Sequence, residues 1–154
     1  WYNYNINEED FNYMCDTFPG MNFIIVPLRI DALFPNSLEG DYSTINQSYL
    51  DALDNWVSWC KSRKVMLCFS NHCWGQGIDG QNDPYPDDLF TNPERLTGIK
   101  EFFKFLAKRY INESILIGFD VVNEVMYQFP NLTVSEWKDF QESKTGCTNY
   151  CILR

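Results

Sequence analysis

This sequence has a single histidine, His72, and none of its cysteines fall into two matched, closely spaced pairs. That leaves no zinc-finger pattern, and neither a metal nor a cofactor is expected. No apolar run approaches the ~20 residues that span a bilayer, so no transmembrane segment is expected. Positive charge is scarce: 12 Lys and Arg stand against 21 Asp and Glu, for a net charge of −9. That balance speaks against nucleic-acid phosphate and against an anionic membrane surface as partners. Internal repeats and low-complexity tracts are absent. The chain opens on Trp1 rather than Met and carries no signal-peptide pattern, which reads as a processed chain or a fragment.

What is present is a globular composition. The 154 residues are 45% hydrophobic, enough for one domain with a real core. Aromatics are abundant at 17%, with 5 Trp and 9 Tyr. Such an excess fills cores, and it also suits stacking on flat, partly apolar ligands such as sugar rings. Six cysteines permit disulfides whose connectivity spacing alone cannot assign; Cys68, inside an apolar run, reads as a small buried hydrophobe. Sequons begin at Asn46, Asn112 and Asn131. In a chain this rich in asparagine chance supplies most of them, so they add little to an expectation of secretion.

Along the chain, helical and extended signals alternate. Asn7 caps a helix over 7–18, with Glu8, Glu9 and Asp10 in its first turn and Pro19-Gly20 as its stop. Residues 22–29 (Asn-Phe-Ile-Ile-Val-Pro-Leu-Arg) form a short apolar run that reads as a buried strand, although Pro27 counts against a regular central one. Thr44 and Gln47 suggest a capping box for a helix bearing Leu50, Leu53, Trp56, Val57 and Cys60. Val65–Phe69 is the second strand, followed by Ser70-Asn71-His72. Residues 73–92 are a long polar loop, a length that favours function. Asn92-Pro93 starts a third helix loaded with Phe102, Phe103, Phe105 and Tyr110. Residues 115–122 read as a third strand, buried on both faces. Thr133 and Glu136 cap a helix over 134–142. This order implies an α/β fold with about three parallel strands alternating with helices.

Polar residues gather where these strands end. Arg29, His72 and the pair Asn123-Glu124 each follow a different strand, and in a parallel sheet those ends share one rim. Each also fits a bland role: Arg29 as a surface ion-pair residue, His72 as a loop histidine, Trp74 as core, Glu124 as a solvated loop acid. Together, an acid, an amide, a cation and a histidine on one rim suit a neutral polyhydroxylated ligand.

Several stretches resemble glycoside hydrolase family 5, the cellulase-like retaining glycosidases built on a (β/α)8 barrel. They are Glu9-Asp10-Phe11, Gly20-Met21-Asn22-Phe23, Val26-Pro27-Leu28-Arg29, Trp59-Cys60-Lys61, Phe105 to Tyr110 and, most specifically, Gly118-Phe119-Asp120-Val121-Val122-Asn123-Glu124. The resemblance implies a carbohydrate substrate and hydrolysis of β-linked glucan-type polysaccharides or glucosides with retention, outside the cell. It implies that Glu124 is the general acid/base, Asn123 binds the hydroxyl beside the reacting carbon, Arg29 holds the nucleophile ionised, and His72 lines the reacting subsite. Trp74 is a candidate stacking platform. An acid in that role must start protonated, so Glu124 is expected to titrate high in an intact site.

A whole barrel takes about 250 residues, and the family's nucleophile sits on a seventh strand. The expectation is therefore a partial TIM barrel: residues 1–142 as an incomplete catalytic domain, then a tail over 143–154 that does not look like family sequence. Val125 and Ser70 depart from the family's commoner proline and aspartate. The alternative is an inactive carbohydrate-binding or interaction module derived from a glycosidase.

Overall fold

The computed structural model describes residues 6–37, 40–73, 92–121, 133–135 and 138, with the backbone alone of His72, Cys73 and Arg95. The elements, in chain order, are α1 (Glu8–Thr17), β1 (Phe23–Arg29), α2 (Ile30–Leu33), α3 (Gln47–Arg63), β2 (Met66–Cys73), α4 (Pro93–Arg109) and β3 (Leu116–Asp120). The three strands form one parallel sheet in the order β1-β2-β3. The expected α/β alternation is therefore present, with helices joining consecutive neighbouring strands.

The helix starts follow local chemistry. In α1 the Asn7 side chain accepts from the Asp10 N–H at 3.1 Å, and the Asp10 carboxylate accepts from the Asn7 N–H at 3.0 Å, a reciprocal capping box. In α4 the Asn92 side chain accepts from the Glu94 N–H at 2.9 Å, and Pro93 takes the first helical position, where a missing N–H does no harm. The expected box at Thr44 is not used. Asn46 caps α3 instead, accepting from the Tyr49 N–H at 3.3 Å. Asparagine is at least as good a cap as threonine, and Gln47 turns outward to Asp51. At the far end of α3, Lys64 adopts a left-handed conformation (φ 56°) and donates its N–H to the carbonyls of Cys60 and Lys61. The short helix α2, directly after β1, had no signal long enough to foresee. Of the expected helix over 134–142, residues 134, 135 and 138 are described and helical; the tail over 143–154 lies outside the described residues.

The sheet has two unlike faces. On one, Val26 and Leu28 of β1, Leu67 and Phe69 of β2, and Phe119 of β3 meet the helices. There they join one apolar cluster with Phe11, Leu50, Leu53, Val57, Cys60, Phe102, Phe103 and Leu106. Phe69 stacks on Phe119 at 6.4 Å, and Phe119 meets Phe103 edge-on at 5.6 Å. The opposite face leaves Phe23 39%, Ile25 53% and Met66 40% exposed. Register puts Phe23 beside Met66 and Ile25 beside Cys68 on that side. Ordinarily a parallel sheet is covered on both faces.

Two strand expectations need correction. β2 runs on to Cys73, so Ser70, Asn71 and His72 belong to the strand rather than to a loop after it. β3 is half-buried along its whole length instead of fully buried, because it stands at the edge of the described sheet and, among the described residues, no layer covers its second face. Cys68 likewise is half-buried rather than core, since it points to the open side. Pro27 is accommodated on β1, the other outer strand of the described sheet, where a missing N–H matters least.

Candidate active site

The C-terminal ends of the strands share one rim, as parallel pairing requires. Arg29, the last residue of β1, pairs with Cys73, the last residue of β2, after a register shift between Leu28 and Arg29. The backbone of His72 therefore ends beside that of Arg29. On the other side Ser70 pairs with Asp120, the last residue of β3. Of the five candidate site residues, Arg29 is fully described and His72 by its backbone. Trp74, Asn123 and Glu124 lie outside the described residues, as does most of the 73–92 loop.

Arg29 is half-buried and held on several sides. Its Nε donates to one oxygen of Asp31 at 3.0 Å, and its Nη2 donates to the other. This two-pronged pairing fixes the plane of the guanidinium as well as its position. Its backbone N–H donates to the Tyr49 hydroxyl at 3.0 Å, which ties the end of β1 to α3. The bland reading of Arg29 as an ion-pair residue is thus partly realised, but the pair is half-buried at the rim. Asp31 and Tyr49 were missed in the sequence; the one available signal was a carboxylate two residues after a strand-terminal arginine, which α2 turns back toward the rim.

Below the rim, on the open face, Ser70 donates its Oγ proton to the Asp120 carboxylate at 2.7 Å. Burial pushes the nearby Cys68 thiol up from its ordinary range, partly offset by a hydrogen bond from the Asp120 backbone. On the helix-facing side Asn71 is fully buried and donates to the Val121 carbonyl at 3.3 Å. That bond fastens β2 to the chain just after β3, where it runs on toward Asn123 and Glu124. Among the described residues no group of three His, Cys, Asp or Glu side chains is placed to hold a metal ion, and no described helix is long and apolar enough to cross a membrane.

This geometry, a cation and a polar pair at the C-terminal rim of parallel strands, is where α/β barrels keep their chemistry. A family model described as cellulase, glycosyl hydrolase family 5, matches residues 1–147. The chain belongs to glycosyl hydrolase family 5. Relatives include endoglucanase C of Acetivibrio thermocellus, 29% identical over 121 residues, covering 79% of this chain and 33% of that protein. Endoglucanase C307 of Clostridium sp. (strain F1) matches with the same identity and coverage. The chain thus spans about a third of the length of these relatives. Among solved structures, that of a glycoside hydrolase superposes with a TM-score of 0.67 at 22% identity, over 89% of this chain and 41% of that one. Endo-glycoceramidase II from Rhodococcus sp., in complex with a cellobiose-like imidazole, gives 0.62 at 15% identity, over 78% and 35%. At such identities the likeness is one of fold. The family-5 chain described here is part of a (β/α)8 barrel, and its open sheet face is the side that turns inward in a closed barrel.

Proposed function

We propose that this chain carries the acid/base side of a retaining glycoside hydrolase active site, for O-glycosyl bonds in β-linked glucan-type polysaccharides or glucosides. The observation that carries the reading is the family match over residues 1–147, which takes in the Gly118–Glu124 stretch. In this reading Glu124 protonates the leaving oxygen as a second carboxylate, about 5 Å away, attacks the sugar carbon. Glu124, now ionised, then takes a proton from the water that releases the sugar. Asn123 binds the neighbouring hydroxyl, His72 lines the reacting subsite, and Trp74 stacks on a sugar ring. Arg29, with its plane set by Asp31, keeps the second carboxylate ionised. That nucleophile belongs to the seventh strand, beyond the three described, so the catalytic pair spans two parts of a barrel. A polymeric glucan cannot enter a cell, so the same reading has the enzyme act outside it.

The test is a completed barrel, made by joining this chain to the C-terminal remainder of endoglucanase C. The joined enzyme is expected to hydrolyse soluble β-glucan. Glu124→Gln should lower kcat by about 10²–10⁴-fold with KM little changed; an unchanged kcat would remove Glu124 from the acid/base role.

A second reading is a binding module derived from a glycosidase. Its support is the 17% aromatic content, which suits stacking on sugar rings. Glycan binding by the chain alone that survives Glu124→Gln and is lost on Trp74→Ala would favour it.

A further inference from the structure

We propose that Cys15 of α1 and Cys60 of α3 form an intramolecular disulfide when the chain meets a small-molecule disulfide oxidant. The two helices lie side by side, and their contacts climb in step. Phe11 meets Trp56 edge-on at 5.8 Å and stacks on Trp59 at 6.1 Å. Further along, Asp16 accepts an ion-pair hydrogen bond from Arg63. Cys15 lies one turn after Phe11, and Cys60 lies one turn after Trp56. Between the aromatic contact below and the ion pair above, the two cysteines are therefore brought face to face. Both are free thiols in one apolar cluster, 8% and 0% exposed. Side chains this small let two helix backbones approach to the ~4.4–6.8 Å between Cα atoms that a disulfide needs.

The environment also sets an order of attack. Burial, with Cys15 adding to it, pushes the Cys60 thiol up to about 11, so Cys60 keeps its proton until the second step. Cys15 reaches the edge of the cluster, and the Arg63 guanidinium sits beside it. With oxidised glutathione, the Cys15 sulfur attacks one glutathione sulfur and releases one glutathione thiolate. The Cys60 thiol then gives up its proton as its sulfur attacks Cys15 Sγ, and the second glutathione thiolate leaves. The two thiol protons pass to the released glutathione, which gains the two electrons the cysteines lose. Cys68 points to the opposite, open face of the sheet and is not a partner.

Peptide mapping by mass spectrometry without reductant tests this. The full chain is treated with oxidised glutathione in native buffer and, in parallel, in concentrated urea, then cleaved with trypsin. The expected product in native buffer is peptide 1–29 joined to peptide 30–61 with loss of two hydrogens. In urea the same link should give way to mixed pairings with Cys68, Cys73, Cys147 and Cys151. The native link should also raise the melting midpoint by on the order of 10 °C, a gain absent from Cys15→Ser. Unlinked Cys15 and Cys60 in native buffer, pairing of either with another cysteine there, or the same pairings in both buffers would overturn the proposal.

Discussion

The two faces of the sheet differ in what completes them. The helix-facing side is closed by residues near in sequence: α3 and α4 lie between the strands they cover, and Phe69, Phe103 and Phe119 interlock within one span of chain. The open side shows Phe23, Ile25 and Met66 to solvent, with Ser70 and Asp120 paired below the rim. A (β/α)8 barrel explains the contrast. Each strand-and-helix unit builds its own piece of outer layer, whereas the interior is packed by side chains from strands all round the barrel. Outer packing is therefore local, and inner packing is shared.

The largest expected effect breaks the contrast directly. Phe69→Ala should cost about 3–5 kcal/mol in urea unfolding, as for other large-to-small changes in a filled core. Ile25→Ala, on the neighbouring strand but facing the other way, should stay within about 0.5 kcal/mol. Equal losses at the two positions would mean that the open face is packed in solution.

A smaller effect probes the polar clamp outside the core. The Asp54 carboxylate accepts from the Arg109 guanidinium and, at 2.8 Å, from the Tyr110 hydroxyl. The hydrogen bond from Arg109 is the main reason its carboxyl titrates below the usual range. A lowered folded value means that stability is present above the ordinary aspartate range, near pH 4, and is lost as pH falls through the folded value. Asp54→Asn should therefore destabilise by about 0.2–1 kcal/mol at pH 7, and its gap to wild type should narrow as pH drops from 5 to 3. A gap that widens on acidification would reverse this assignment.

A change of similar size and opposite sign concerns the turn that delivers β2. Lys64 holds a left-handed backbone that glycine adopts without penalty. Lys64→Gly should stabilise by roughly 0.5–1 kcal/mol in the same denaturation assay.

How much of this was legible in the sequence follows the same division. Asn7 and Asn92-Pro93 marked their helices because caps are read from neighbouring residues. The apolar stripe Leu50, Leu53, Val57 and Cys60 marked the buried side of α3 for the same reason. Thr44 misled because two cap-competent residues, Thr44 and Asn46, stand close together, and Asn46 takes the cap. β2 looks shorter in the sequence than it is because Ser70 and Asn71 resemble loop residues; their place in the strand depends on Asp120 and Val121, about fifty residues away in the chain. β3 looked buried because its composition suits a closed barrel, of which one layer is described. At the site, Arg29 and the end of β2 were found at one rim as expected. Asp31 was overlooked because its role arises only when α2 folds back.

The central claim is that the catalytic pair is shared between this chain and a later strand of the barrel. Initial-rate release of p-nitrophenol from p-nitrophenyl β-cellobioside by the purified chain tests it most directly. The expected result is a rate no higher than that of the Glu124→Gln chain; release by the wild-type chain that Glu124→Gln abolishes would contradict it.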